Sequence, residues 1–407
     1  MTKNLLIIGA GVEACEGIRI AKEMGLKLAI VDGNPSAPGL AMADWPIITS
    51  TYDGQAILAE VKKLQTQGVN IDGAMAMCAD VPLSVAIVTN DLGLPGLSLE
   101  SAFWVSDKLA MKAQLQAEGI PIPSFADVSD KSTLHQKAYE IGFPLIIKPV
   151  DSRGARGVQL LDSVSQLDMA WELAAKESPT SRVMLEEYLE GPQFSTETLV
   201  DRGQCYTLGF ADRNYEWLER TKPFIIENGG DAPTALSSKH KAEVIATVEK
   251  AATALGITQG IAKGDMVYTT TGAKVIEIAG RLSGGFFSTT QIPLATGVNF
   301  IEKAIKLALG IQLNPTETLP TREQAVAIRY LDLPPGKVEV ITGIKEASHM
   351  TGVILLKMFI ESGNDVTTLS NHTQRSGFAI AIGDTKTQAI ERANAALSHI
   401  CITIKGE

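Results

Sequence analysis

Apolar positions in the first hundred residues alternate between short unbroken runs and helical spacing. Asn4–Gly9 is a run of strand length, Glu13–Met24 spaces its apolar residues as an amphipathic helix does, and Lys27–Asp32 is a second run. Gln55–Gln67 predicts another helix and Ile71–Met77 a third strand. Strands apolar on both faces, separated by amphipathic helices, suit a parallel sheet covered on both sides. The expected fold class of this segment is therefore α/β, a doubly wound parallel sheet.

Beyond it, Phe103–Glu118 predicts a helix opening near Ser106-Asp107-Lys108 and ended by Ile120-Pro121-Ile122-Pro123. A small α/β unit with one helix, Ser163–Ala175, continues to about residue 210. Ser238–Leu255 is a long helix, Gly260–Gly285 an acidic hairpin, and Phe300–Leu309 a further helix. Pro315–Pro320 reads as a linker. After it, β-type runs at Gln324–Leu331, Lys337–Ile341 and Phe378–Ile382 accompany one helix, Thr387–Ser398.

A chain of 407 residues exceeds one ordinary core, so two or three domains are expected. Its 45% apolar and 20% charged residues are those of a globular protein, and no run reaches the length of a membrane span. A net charge of −10 argues against a nucleic-acid partner, which would need a basic face. Cys15, Cys78, Cys205 and Cys401 are far apart and form no CxxC pair, which points to reduced thiols and a cytoplasmic location. The five histidines show no ligand spacing; His349 and His372 are singled out only for lying in the C-terminal segment.

Gly9-Ala10-Gly11, with Asp32 closing the second strand and Ala14 in the third-glycine place, fits a dinucleotide fingerprint. A tight strand-to-helix turn explains the same residues. The centre of the chain supplies a separate phosphate-handling set, which favours the turn.

In that set, Phe143–Pro149 is an apolar strand carrying Lys148 near its end, where a partly desolvated ammonium needs an anionic partner. Asp151–Val158 (DSRGARGV) follows, with Arg153 and Arg156. There Ser152, Gly154 and Gly157 let backbone amides approach phosphate oxygens. No GxxxxGK[ST] loop occurs. Val183–Gly191 is a strand ending in paired carboxylates, Glu186 and Glu187. With a turn at Thr271-Gly272-Ala273, Asp265 and Glu277 face one side of the hairpin. Two such carboxylates repel unless a cation lies between them, and hard oxygen ligands beside phosphates suit magnesium, with manganese as the alternative ion. Arg281 can neutralise charge on a transferred phosphoryl group.

The order of these elements resembles the ATP-grasp superfamily over nearly the whole chain. DKLAMKAQLQAEGIPIP (Asp107–Pro123) is similar to that family's first phosphate-lysine segment, and EEYLEGPQF (Glu186–Phe194) to its adenine segment. The resemblance implies an N-terminal pre-ATP-grasp domain (1–102), a two-part ATP-grasp domain (103–314, mobile part about 124–190) and a C-terminal α+β closing subdomain (315–407). It implies ATP contacts from Lys108, Lys148, the flap residues Ser152, Gly154, Arg156 and Gly157, Glu186 at the adenine amino group, and backbone groups of Glu187 and Leu189. It also implies magnesium ligation by Asp265 and Glu277, and Arg281 facing phosphate. Gln193 stands where a ribose-binding Glu is usual, and Ala279-Gly280 replaces Asn-Pro, so one metal ligand of the pattern is missing.

KPFIIENGGDAPTALS (Lys222–Ser237) is similar to a stretch of the L-amino-acid and dipeptide ligases. By that resemblance Glu227, Arg281, Ser283, Gly284 and Gly285 hold substrates. The implied reaction is ATP-dependent carboxylate–amine ligation through an acylphosphate, with Lys148 and Arg281 as the catalytic cations. Small-molecule carboxylate and amine partners are implied, and homodimers are common among such enzymes. Two alternatives stay open. One is a purine-pathway or carboxylase-type enzyme, although GAGVEA differs from the purine enzymes' first turn. The other is a non-catalytic nucleotide-binding protein.

Overall fold

A computed structural model of the chain describes residues 2–405. At the N-terminus, β1 (Asn4–Ile8), β2 (Lys27–Asp32), β3 (Trp45–Ile48) and β4 (Gly73–Ala76) form a parallel sheet in the order β3-β2-β1-β4. Leu5 and Ile7 face the core that includes Ile18 and Ile301, whereas Leu6 and Ile8 face the core that includes Ile57 and Val61. Both faces are therefore dry, which explains the unbroken apolar runs. At the first turn, the Ala10 N–H donates to Asp32 Oδ2 (2.8 Å) and the Asn34 N–H to Asp32 Oδ1 (2.9 Å). Asp32 thus serves the backbone of the two neighbouring strand-to-helix turns.

The helix expected over 103–118 is divided into Leu99–Trp104 and Lys108–Ala117. Asp107 causes the break: its backbone is extended and its carboxylate accepts the Ala110 N–H at 2.8 Å, capping a new helix that starts at Lys108.

A second, antiparallel sheet follows: β5 (Phe125–Asp127), β6 (Leu145–Pro149), β7 (Gln159–Leu161) and β8 (Val183–Glu187), in the order β5-β8-β6-β7. Helices Leu134–Ile141 and Leu167–Glu177 cover it, and its core (Leu134, Leu145, Ile147, Leu161, Leu185) is its own.

The largest sheet draws on β9 (Gln193–Asp201), β10 (Gln204–Arg213), β11 (Gly230–Ala232), β12 (Gln259–Thr269), β13 (Gly272–Ala279) and β14 (Ala325–Tyr330). After β15 (Gly336–Thr342), β16 (Val353–Met358), β17 (Asp365–Val366), β18 (Gly377–Gly383) and β19 (Cys401–Lys405) complete the chain. The eight-stranded order is β13-β12-β9-β10-β11-β14-β18-β16, and β17-β15-β19 form a small separate sheet. Because β11 pairs with β14, the sheet continues across the Pro315–Pro320 segment into the C-terminal region.

β9 is poorly visible in the sequence because buried Thr196, Glu197 and Thr198 interrupt its apolar pattern. The helix Pro82–Leu92 was hidden for the opposite reason, being apolar on several sides.

The acidic hairpin turns at Thr270-Thr271, ahead of the expected Thr271-Gly272-Ala273, with Thr269 paired to Gly272. In that register Asp265 would face Ile276. An extra residue on β13, where the ladder shifts between Asp265 and Met266, places Glu277 directly opposite Asp265 instead.

Candidate active site

A cleft of about 640 Å³ opens between the N-terminal sheet, the β5–β8 sheet and the eight-stranded sheet, and of the expected site residues all but Gly157 line it. Lys148, near the end of β6, is buried and stands 2.7 Å from Glu186 Oε2 on β8. Lys112 lies 3.2 Å from the other oxygen and donates to Ile276 O (2.7 Å) and Val275 O (3.3 Å). Burial pushes the Lys112 ammonium down to about 8. Burial pushes the Glu186 carboxyl up, but Lys112 and Lys148 together hold it below its ordinary value. The resemblance places Glu186 at the adenine amino group; its Oε2 meets Lys148, while Oε1, though 3.2 Å from Lys112, is buried with no hydrogen-bond partner.

Lys108, the first residue of its helix, donates to Ser152 O (2.9 Å) and lies 3.5 Å from Glu277 Oε1. One ammonium therefore touches both the flap and the hairpin. The flap runs through left-handed positions at Gly154 (φ 66°), Ala155 (φ 61°) and Gly157 (φ 71°). A Cβ at Gly157 would come within 2.9 Å of Pro149 Cγ, so this glycine is required both for its φ and for close approach. Asp151 accepts from Ser178 and Thr180 hydroxyls, each at 2.6 Å, which fixes the flap's base. At its tip, the Arg153 guanidinium lies 3.5 Å from Asp80 and over the Tyr52 ring, while the His372 N–H donates to Gly154 O (3.0 Å).

Backbone N–H groups at the end of β8 and just beyond it differ in their use. Glu187 donates to Ser124 O and Tyr188 to Pro144 O, whereas the Leu189 N–H has no acceptor among the described residues. Gln193 lines the same region of the cleft.

On the hairpin, Asp265 contacts Lys263 and stands 2.7 Å from Arg213. Burial raises the Asp265 carboxyl, but the Arg213 and Lys263 cations hold it well below the carboxylate range. Arg213 also binds Glu227 at 2.6 Å, joining an expected metal ligand to an expected substrate residue. Arg281 Nε is 3.6 Å from Asp80 Oδ1 and, though buried, has no hydrogen-bond acceptor. Burial raises the Asp80 carboxyl, yet the Arg281 and Arg153 guanidiniums hold it below its ordinary value. After Arg281, the Ser283 N–H donates to buried Glu197 (2.8 Å) and the Gly285 N–H to Glu13 (3.1 Å). The Gly284 position comes close to the same Glu13 carboxylate.

Nothing in the sequence singles out Asp80, Lys112, Arg213, Lys263 or Arg375. Lys112 lies inside the Asp107–Pro123 motif and Lys263 two residues before Asp265 on β12, but nothing local marks either as a site residue; Asp80, Arg213 and Arg375 come from segments that no spacing connects.

The donor set suits a nucleotide and a hard cation. Amide groups of the flap and three cations (Lys108, Lys148, Arg281) are available for phosphates, and the orphaned Arg281 Nε calls for an acceptor. No group of three or more His, Cys, Asp or Glu residues that could cage a metal occurs among the described residues. Two opposed carboxylates with phosphate oxygens and water are, however, the usual surroundings of magnesium.

Comparisons with known proteins agree with this geometry. Residues 105–285 match the ATP-grasp domain model and residues 329–405 the L-amino acid ligase C-terminal domain 2. The L-arginine-specific L-amino acid ligase of Bacillus subtilis is 24% identical over 294 residues, covering 71% of this chain and 68% of that protein. D-alanine–D-alanine ligase B of Pseudomonas putida is 32% identical over 171 residues, covering 41% of this chain and 52% of that protein. The crystal structure of an L-amino acid ligase from Bacillus licheniformis superposes with a TM-score of 0.84 at 21% identity, covering 100% of this chain and 99% of that one, which is a likeness of fold. With both domain models matched and the phosphate-facing groups gathered in one cleft, the chain carries an ATP-grasp domain over residues 105–285 and an L-amino acid ligase C-terminal domain 2 over residues 329–405.

Proposed function

We propose that the chain is an ATP-dependent carboxylate–amine ligase acting on an amino acid or another small carboxylate. The observation that carries this reading is the convergence of Lys108, Lys148, Arg281 and the opposed Asp265 and Glu277 on one cleft that also has room for further substrates.

In this reading the Leu189 N–H meets the adenine ring, and Gln193 offers a neutral hydrogen bond to ribose. Lys108, Lys148 and the flap, with Ser152, Gly154, Arg156 and Gly157, hold the triphosphate. Glu186 orients Lys148 through Oε2 and offers its unpartnered Oε1 to the adenine amino group. Bound magnesium, held by Asp265 and Glu277, would offset phosphate charge. Manganese has the same hard-oxygen preference.

A substrate carboxylate oxygen attacks the γ-phosphorus, and the bond to the ADP oxygen breaks, giving an acylphosphate and ADP. Lys148 and Arg281 hold the charge on the moving phosphoryl group. The amine nitrogen then attacks the acyl carbon. The carbon–oxygen bond to phosphate breaks, the nitrogen loses a proton to solvent, and amide and inorganic phosphate leave. The flap, tied to Asp80 and to the His372 N–H, limits the entry of water that would hydrolyse the acylphosphate. Glu227 and the segment Ser283-Gly284-Gly285 border the substrates.

The domain assignment 1–102, 103–314 and 315–407, with a mobile part at about 124–190, belongs to the same proposal. The separate core of the small lobe supports it. Four free cysteines accord with a cytoplasmic location, and light scattering would test for a homodimer.

The deciding experiment measures phosphate release from Mg-ATP with pairs of amino acids or other carboxylates and amines. Release dependent on one pair, with ADP as the nucleotide product, supports the ligase. ATP binding with no release for any pair favours the binding-protein alternative.

A further inference from the structure

Eight lysines and arginines line the cleft. Six form ion pairs there; among the described residues, Arg156 and Arg375 have no carboxylate partner. Arg156 belongs to the flap, where its Nε donates to Arg153 O, and phosphate accounts for it. Arg375 lies on the C-terminal segment and is unexplained by the nucleotide site.

Two contacts hold the Arg375 guanidinium without neutralising it. One Nη donates to the Glu227 backbone carbonyl, and Cζ stands 3.8 Å over the Tyr330 ring. Its Nε is buried and has no acceptor. Tyr330 in turn adjoins the segment that follows Arg281, since a Cβ at Gly285 would lie 3.0 Å from the Tyr330 hydroxyl. The carboxylate of Glu227, whose backbone carbonyl Arg375 meets, is already committed to Arg213. A guanidinium that is oriented, partly desolvated and without a carboxylate partner is a receptor for a planar anion, because its donors match both oxygens of a carboxylate.

We infer that Arg375 binds the carboxylate of the amine-bearing substrate, so the acceptor is an amino acid or peptide and not a simple amine. This rests on the ligase reading. The donor's carboxylate is consumed beside the phosphate groups, which leaves the acceptor's own carboxylate as the anion that persists through the reaction.

The test compares acceptors that differ only in this group, glycine against glycinamide and L-alanine against L-alaninamide, each with Mg-ATP and a panel of amino-acid donors. Products are identified by mass spectrometry. The wild-type protein should favour the carboxylate acceptors in kcat/KM on the order of tenfold to a hundredfold. Arg375→Met should remove that preference by raising the acceptor KM while leaving the KM for ATP unchanged, and Arg375→Lys should restore part of it. Equal use of acid and amide, or a change in the ATP or donor KM instead, overturns the assignment.

Thermal shifts with the same acids and amides, in the presence of ADP and magnesium, give a readout independent of turnover. Carboxylate-dependent stabilisation lost in Arg375→Met supports the site even if no pair is ligated. Its absence overturns the site even if ligation is observed.

Discussion

Lys112 and Glu186 are buried side by side, with Lys112 Nζ 3.2 Å from Glu186 Oε1 and neither side chain more than 3% exposed. On its other oxygen Glu186 holds Lys148 at 2.7 Å. One carboxylate thus faces two ammonium groups at the floor of the cleft and leaves a net positive charge there.

Replacing Glu186 with Ala should leave both lysines without an acid partner. The expected loss is about 3–5 kcal/mol of stability, read from urea denaturation, together with weaker ATP binding. Glu186→Gln keeps the shape but not the charge and should fall between the two. A wild-type denaturation midpoint for Glu186→Ala would refute the pairing.

Lys148→Ala and Glu277→Ala each remove a group assigned to phosphate or magnesium. Turnover should fall on the order of a hundredfold or more in both, with the fold retained by circular dichroism. Near-normal phosphate release from the two variants would remove the site assignment.

Asp80 faces two guanidiniums, Arg281 at 3.6 Å and Arg153 at 3.5 Å. We expect it to align the flap and Arg281 without touching substrate. Asp80→Asn should therefore lower kcat on the order of tenfold while changing the KM for ATP little. If KM alone rises, Asp80 acts on nucleotide binding and not on alignment.

Glu197 is fully buried beneath the segment after Arg281, accepting from Ser288 Oγ at 2.7 Å and from the Ser283 N–H at 2.8 Å. Burial outweighs these hydrogen bonds and raises its carboxyl from 4.5 to about 7. Folding therefore favours the protonated form. The resulting stability is complete below pH 4.5 and is lost as pH rises through about 7, amounting to about 3 kcal/mol at most. Glu197→Gln, which cannot ionise, should gain in Tm relative to wild type between pH 5 and pH 8. A Tm difference that stays constant over this range would show that Glu197 does not titrate there.

The local sequence was a good guide wherever one element carried its own signal. The apolar runs of β1 and β2 required a sheet covered on both faces. Gly154 and Gly157 marked a loop that needs left-handed backbone. Lys148, Glu186, Asp265, Glu277 and Arg281 lay in short motifs that survive without knowledge of the fold. Elements with mixed signals were harder to see: β9 buries polar residues, and Asp107 cuts one expected helix in two.

Partnerships across distant segments were not legible. Asp80 reaches Arg281 from the loop after β4, Arg213 bridges Glu227 to Asp265, and Arg375 approaches Glu227 from the C-terminal region. Sequence by itself determined which residue types were present and which stretches were strands, helices and flap, because those depend on local pattern and backbone preference. Tertiary structure alone decided their pairing. The extra residue on β13 turns Glu277 to face Asp265, and the Ile276 carbonyl at that point accepts from Lys112, 164 residues away in the chain. Such a register follows from packing and burial across the whole fold, which no local window contains.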